Sequence, residues 1–126
     1  MCLRSVNNYV LGKMMDFWKR LDNLIASHEI VIDRPKGSTH PRYPKSVYPL
    51  DYGYLNETSG GDGNEIDVWR GSIKDGLLMG IVCTVDTHKG DAELKLLIGC
   101  TDSEIDIIYR FHNGGEYMSG IIIKRE

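Results

Sequence analysis

Asp62, Glu65, Asp67, Asp86, Asp91 and Glu93 are the residues best suited to act together chemically, and their spacing decides whether they can. In Glu65–Ile66–Asp67–Val68–Trp69, the alternation of a strand puts both acids on one face and Ile66 and Val68 on the other. In Asp91–Ala92–Glu93–Leu94–Lys95–Leu96, the same rule groups Asp91, Glu93 and Lys95 while Leu94 and Leu96 pack away. If those polar faces meet, several carboxylates converge, and like charges that close do not all stay ionised without a compensating cation. Oxygen ligands in such number select Mg²⁺, Mn²⁺ or Ca²⁺ over zinc. Taken singly, each acid is expected only to solvate an exposed strand face. Convergence is what carries the chemical reading.

A second anomaly lies upstream. All four prolines, Pro35, Pro41, Pro44 and Pro49, fall within fifteen residues, among Arg34, Lys36, Arg42 and Lys45, and no acid lies between Arg34 and Leu50. A proline-stiffened cationic stretch is unfit for a central strand and reads as an extended rim able to hold an anion. Cations on one rim and acids opposite suit a polyanion held by Arg and Lys and bridged by divalent metals. That is the arrangement for a phosphoryl substrate, because metals neutralise its charge and lower the pKa of a bound water from about 15.7 towards about 7.

The remaining reactive residues offer less. His28, His40, His88 and His112 show no HxH or HExxH spacing and are expected on surfaces or loops, with only His40 and His88 placed to touch phosphate. Cys2, Cys83 and Cys100 form no CxxC and are expected to be inert thiols. Trp69 reads as a core aromatic. Gly60–Gly61–Asp62–Gly63 lacks the GK[ST] of a phosphate-cradling loop and reads as a turn that delivers Asp62.

The elements that must position these groups follow from periodicity. Val10, Leu11, Met14, Phe17, Trp18, Leu21, Leu24 and Ile25 recur at gaps of three and four, predicting an amphipathic helix over 9–26. Short β-branched and aromatic segments predict strands at Glu29–Asp33, Val47–Leu55, Glu65–Trp69, Leu77–Val85, Ala92–Ile98 and Tyr117–Lys124. Thr101 and Glu104 form a capping box for a second helix from Asp102 to about His112, stopped by Gly114–Gly115. Five or six strands with two helices indicate an α+β domain built on a small barrel, one domain over 1–126 with the first helix as an N-terminal extension. That helix either caps the barrel or makes a contact with another chain. At 126 residues and a formal charge of −3, the chain is not a globally basic nucleic-acid binder. Its longest apolar run, Leu77–Cys83, is far short of a membrane span, and the first fifteen residues hold no signal-peptide core. A cytoplasmic protein acting without membrane or nucleic acid is the expectation.

Three motifs then align in order. Ile32–Asp33–Arg34–Pro35–Lys36–Gly37–Ser38, Tyr48–Pro49–Leu50–Asp51–Tyr52–Gly53–Tyr54 and Asp62–Gly63–Asn64–Glu65–Ile66–Asp67–Val68 resemble the IEIPKGS, YPxDYGY and DGDPxDV signatures of the soluble family I inorganic pyrophosphatases. Gly80–Ile81–Val82, Asp86 and Asp91–Ala92–Glu93–Leu94–Lys95 extend the likeness, which covers about residues 29 to 99. The resemblance implies an OB-like five-stranded barrel and Mg²⁺-dependent hydrolysis of pyrophosphate to two orthophosphates, with Mn²⁺ as an alternative metal, in a homo-oligomer. By this resemblance Asp62, Asp67 and one of Asp91 or Glu93 hold a metal pair, Asp86 and Asp33 hold further metals, and Tyr52 lies near the metal centre. Arg42 and Lys95 take phosphate-binding positions with Tyr48 beside them, and Tyr109–Arg110 stand for the family's C-terminal Tyr–Lys pair.

The departures are informative too. Asn64 replaces the aspartate that accepts the attacking water's proton, and an amide is no general base; losing such a group costs about 10²–10⁴ in rate. Glu65, where the family has proline, is the carboxylate expected to compensate. No clear counterpart exists for an arginine that clamps the electrophilic phosphate, and Lys45 is the candidate to reach there. Two rivals follow: a weakened module that binds a phosphorylated ligand or metal or cleaves another phosphoanhydride, and an OB-type single-strand binder using Tyr48, Tyr52 and Tyr54 with Arg42 and Lys45. The acids oppose the latter by repelling a phosphodiester backbone.

Overall fold

The three–four spacing resolves into a helix, α1, from Asn8 to Ser27 in the computed structural model, which describes residues 7–125 and so leaves Cys2 outside. The Asn7 side chain accepts from the Val10 N–H at 2.9 Å, satisfying a donor that the first turn leaves free. Six strands follow: β1 (Ile30–Arg34), β2 (Asp51–Leu55), β3 (Asp67–Arg70), β4 (Leu78–Asp86), β5 (Asp91–Ile98) and, after a second helix, β6 (Met118–Lys124). That helix, α2 (Asp102–Asn113), starts on the expected capping box, with the Thr101 hydroxyl and the Glu104 carboxylate each accepting from the other's backbone N–H. No helix among the described residues is long and apolar enough to cross a membrane.

The strand order is β1-β2-β3-β5-β4-β6, antiparallel throughout except for the β3–β5 pair. The α+β class is thus as the periodicity implies, with six strands where the resemblance implied five and a hydrogen-bonded order that begins at β1 and ends at β6. The segment predicted as a strand from Val47 pairs regularly only from Asp51; Val47 makes a single bridge to Thr39, and Pro49 brings no N–H to a ladder. Between β1 and β2 the proline-rich stretch stays irregular and largely exposed, as its composition dictates.

Alternation along the strands splits the core in two. Val68, Ile81, Leu96 and Leu55 join Trp18 and Leu21 of α1 on one face, with Ile66, Leu94, Leu24 and Ile25 packed against them. Trp69, Val82 and Leu97 join Ile105 and Ile108 of α2 on the other, with Tyr48, Leu50 and Cys100. Each helix therefore covers its own face of the sheet. Gly53 is required where β1 approaches β2, because a Cβ there would lie 1.8 Å from the Val31 carbonyl oxygen. Just beyond, the β1–β2 register shifts between Ile32 and Arg34, leaving Asp33 as an extra residue.

Candidate active site

On the α2 face, Glu93 and Lys95 of one group that alternation forms meet Asp67 of the other. Lys95 stands at the centre, its side chain only 6% exposed, donating to Glu93 Oε2 at 2.7 Å, Asp67 Oδ2 at 2.8 Å and the Tyr52 hydroxyl at 2.9 Å. The parallel β3–β5 register makes this possible, setting Asp67 directly against Lys95. Burial alone would push the ammonium towards neutrality, but the Tyr52, Asp67 and Glu93 oxygens outweigh it and hold Lys95 charged. Burial pushes the Tyr52 hydroxyl well above its ordinary value. Beneath lies an aromatic floor: Tyr52 meets Trp69 at 4.7 Å and Trp69 meets Phe111 at 5.3 Å, both edge-on. Trp69 Nε1 donates to His112 Nε2 at 3.0 Å, which leaves the ring's proton on Nδ1 beside Met118. Burial, with the Lys95 charge adding, pushes the His112 pKa down to about 3.

Above this floor opens a cleft of about 480 Å³. Asp33, Asp62, Glu65, Asp67 and Glu93 line it, with Asn64, Tyr48 and Tyr52, against three cations, Arg34, Lys89 and Lys95. Burial raises the Glu93 pKa, opposed by Lys95 and reinforced by Asp62, while the interaction with Glu93 lowers that of Asp62. Asp62 is fixed further by the Asn64 N–H at 3.0 Å, in a turn that reverses at Gly63 with φ of 84°. Burial lowers the His40 pKa, and the positive charges of Arg34, Lys89 and Arg42 lower it further.

Several expected residues stand elsewhere. Asp86 turns back on its own hairpin, Oδ1 accepting from the His88 and Lys89 N–H groups at 2.9 and 3.0 Å. Asp91 pairs with Lys89 at 3.3 Å, and it is Glu93, not Asp91, that lines the cleft. Arg42 and Lys45 are exposed on the proline-rich rim outside the lining. Tyr109 is exposed and Arg110 pairs with Asp106 at 2.9 Å on the outer side of α2; Phe111 and His112 face the cleft instead. The buried stripe Ile105, Ile108, His112 sets that helical phase, and the i, i+3, i+7 spacing is its signal in the sequence.

Of the cations in the cleft, Arg34 belongs to the predicted rim, whereas Lys89 was not anticipated. Arg34 hydrogen-bonds the Tyr48 hydroxyl, with its guanidinium 5.5 Å from that ring's centroid. Alternation alone sends Asp33 and Arg34 to opposite faces, but the extra residue at the bulge lets both reach the cleft. Lys89 arrives on the β4–β5 turn, for which spacing offers no signal.

Among the described residues no three His, Cys, Asp or Glu side chains converge closely enough to enclose a metal ion. The donor set nevertheless fits a hard divalent cation in its chemistry: the acids that line the cleft, Asp33, Asp62, Glu65, Asp67 and Glu93, offer carboxylate oxygens and outnumber its cations.

No protein-family model and no curated protein matches the sequence. Among the solved structures that match in shape are an inorganic phosphatase from Anaplasma phagocytophilum (TM-score 0.52, 16% identity, 75% of this chain and 81% of that one) and the inorganic pyrophosphatase of Helicobacter pylori (TM-score 0.52, 16% identity, 78% and 85%). The chain thus shares the fold of these two proteins, and the α+β architecture that its periodicity implies is the one it has.

Proposed function

We propose that this protein hydrolyses inorganic pyrophosphate, or a small phosphoanhydride of similar charge, to two phosphates, with Mg²⁺ or Mn²⁺ as cofactor. One observation carries the reading: Asp62, Asp67 and Glu93 share a single cleft with the cations Arg34 and Lys89. The fold it shares with an inorganic pyrophosphatase supports the same reading. Asp62, Asp67 and Glu93 would hold the divalent cation, which when bound offsets phosphate charge and makes a nearby water more acidic.

The chain's own residues do the rest. Lys95 keeps Asp67 and Glu93 aligned from beneath, so the carboxylates are set before anything binds. Arg34, braced by Tyr48, and Lys89 bind phosphate oxygens and take up the charge that grows on the leaving phosphate as the bridging P–O bond breaks. Glu65 accepts the proton of the attacking water as its oxygen bonds to phosphorus. Asn64 carries no base and holds Asp62 in place through its N–H. A reducing compartment such as the cytoplasm suits the free thiols Cys83 and Cys100.

Phosphate release from pyrophosphate with Mg²⁺, then Mn²⁺, tests the proposal. The expected result is release that Asp67→Ala abolishes and that Glu65→Gln lowers by about 10²–10⁴. Full activity in Glu65→Gln removes the role given to Glu65. Asn64, in place of a carboxylate, favours a second reading, a binding module without turnover. Pyrophosphate that raises the melting temperature while releasing no phosphate with either metal supports that module and overturns the enzyme.

A further inference from the structure

The cleft is larger than pyrophosphate fills. At about 30 Å³ for each of its seven oxygens, the volume of a water, pyrophosphate takes up roughly 210 Å³. That is less than half of the 480 Å³ present, a volume in the range of sites for small organic ligands.

The excess is lined by a different kind of side chain. Asp67 and Glu93 gather around Lys95, with Asp62 against Glu93, and Tyr52 closes that group by accepting from Lys95. Tyr52 also meets Tyr48 at 5.2 Å, and Tyr48 in turn meets His40 at 6.3 Å, nearly parallel, and Phe111 at 5.8 Å. From Phe111 the wall runs on through His112 to Met118, with Gly115 in the turn between them. None of these residues brings an acid or a permanent cation. His40 Nδ1 accepts from the Arg42 N–H at 3.0 Å, which puts the ring proton on Nε2 and leaves a neutral, flat ring. A Cβ at Gly115 would meet nothing within 4 Å, so this end has room for a group larger than phosphate.

Arg34 stands where the two linings join, because it hydrogen-bonds the Tyr48 hydroxyl while Asp33 beside it lines the cleft. A phosphate that leaves towards Arg34 therefore leaves towards the aromatic wall, and any group it carries is directed there.

Resting on the hydrolytic reading above, we propose that the substrate is a nucleoside diphosphate, its terminal phosphate among the carboxylates and its base against His40 and Phe111. A longer inorganic polyphosphate would need cations where these rings stand. A flexible aliphatic group gains nothing from their planarity, whereas a base stacks on them, purine and pyrimidine alike. In the reaction the oxygen of water bonds to the terminal phosphorus as the bridging P–O bond breaks. The nucleoside monophosphate departs with the electron pair beside Arg34, Glu65 takes the proton, and the other product is orthophosphate.

Methyl diphosphate is the control, having the anhydride and charge of ADP without the base. With Mg²⁺, kcat/KM for phosphate release from ADP is expected to exceed that from methyl diphosphate by about 10-fold or more, within the roughly 5- to 150-fold that one stacked base is worth. Gly115→Leu, which fills the open end, and His40→Ala are each expected to cut that ratio roughly 5-fold or more. Calorimetry in Mg²⁺ reads binding separately: α,β-methylene-ADP is expected to bind about 10-fold tighter than methylenediphosphonate, an advantage that Gly115→Leu removes. Release from pyrophosphate with equal release from ADP and methyl diphosphate overturns the nucleotide and leaves the hydrolase standing. No release from any of them, with the tighter binding of the nucleotide analogue intact, overturns the hydrolase and supports the nucleotide site. Equal affinity for the two analogues overturns the site itself.

Discussion

Residues 95 and 96 are neighbours on β5, and they live in different proteins as far as their surroundings are concerned. Leu96 points to the α1 face, where every buried member of the cluster is apolar. Lys95 points to the α2 face, where burial equally deep is offset by two carboxylates and a phenol. Both faces are built by the same period of two, and both are capped by a helix with an apolar stripe. The difference lies in where the helix stops. α2 ends at Asn113, with Phe111 and His112 on the cleft, so the upper part of that face stays open and must be covered by charge balance instead of by side chains. A site arises here because the open part of this face carries ionisable side chains, and those charges have to neutralise one another.

The sharpest way to break that contrast is to exchange the two residues' properties one at a time. Leu96→Ala is expected to cost about 2–5 kcal/mol, since a fully buried leucine leaves a cavity under α1. Lys95→Met is expected to cost about 3 kcal/mol, at the low end for a broken buried pair because Asp67 keeps some contact with water. Urea unfolding measures both. Phosphate release per folded molecule then separates them: Leu96→Ala retains it and Lys95→Met loses it. Equal loss of release in both variants, assayed where both are folded, would mean that the faces are not independent.

Much of this contrast was legible in the sequence. Alternation in Glu65–Trp69 and Asp91–Leu96 assigned each residue to its face before any contact was known, and Ile66, Val68, Leu94 and Leu96 all pack beneath α1. The capping box fixed the start of α2, and the three–four spacing marked α1. What alternation misses is its own interruption. The bulge at Asp33 is invisible as a pattern, so Arg34 was read as part of a cationic rim while Arg42 and Lys45, richer in apparent promise, stand outside the cleft. Asp86 looked as available as Asp62, but a hairpin turn consumes its oxygen in backbone bonds, and that competition depends on loop geometry rather than residue type. The stripe on α1 was equally plain, yet periodicity does not tell how much of a stripe the chain's own sheet is long enough to cover.

A smaller effect sharpens the comparison through pH. The α1-face cluster buries no histidine, whereas the α2 face buries His112. Its folded pKa, near 3, lies below the ordinary value of 6.5, so the unfolded chain takes up a proton that the folded chain refuses. Stability therefore falls as pH drops below 6.5, by about 1.4 kcal/mol per unit, or about 2 kcal/mol at pH 5. His112→Gln keeps an acceptor for Trp69 Nε1 and removes the proton site. Urea titrations at pH 7.5 and 5 should show a slope in the wild type that is shallower in the variant. An unchanged slope would place the acid sensitivity in the carboxylates of the cleft instead.

The smallest expected effect sits on the α1 face, and its size is the point. Arg125 grips Asp22 through two bonds, Nη1 to Oδ1 at 2.6 Å and Nη2 to Oδ2 at 2.7 Å, and this contact lowers the Asp22 pKa. A depressed carboxylate contributes stability above its unfolded value and loses it as pH falls through the folded one, so any benefit is complete at pH 7. Asp22 is 41% exposed, however, and water and salt screen most of the attraction. Asp22→Asn is therefore expected to cost about 0.5 kcal/mol at low salt and less in 1 M NaCl, read from the shift in urea midpoint. A cost several times larger and insensitive to salt would show that α1 is held by its ion pair rather than by Trp18 and Leu21. Trp18 and Leu21, buried in the core cluster, hold the helix, and the ion pair adds only an exposed tie to Arg125. A charge on this face is a surface tie; the equivalent charge on the other, Lys95, sustains the arrangement of the whole cleft.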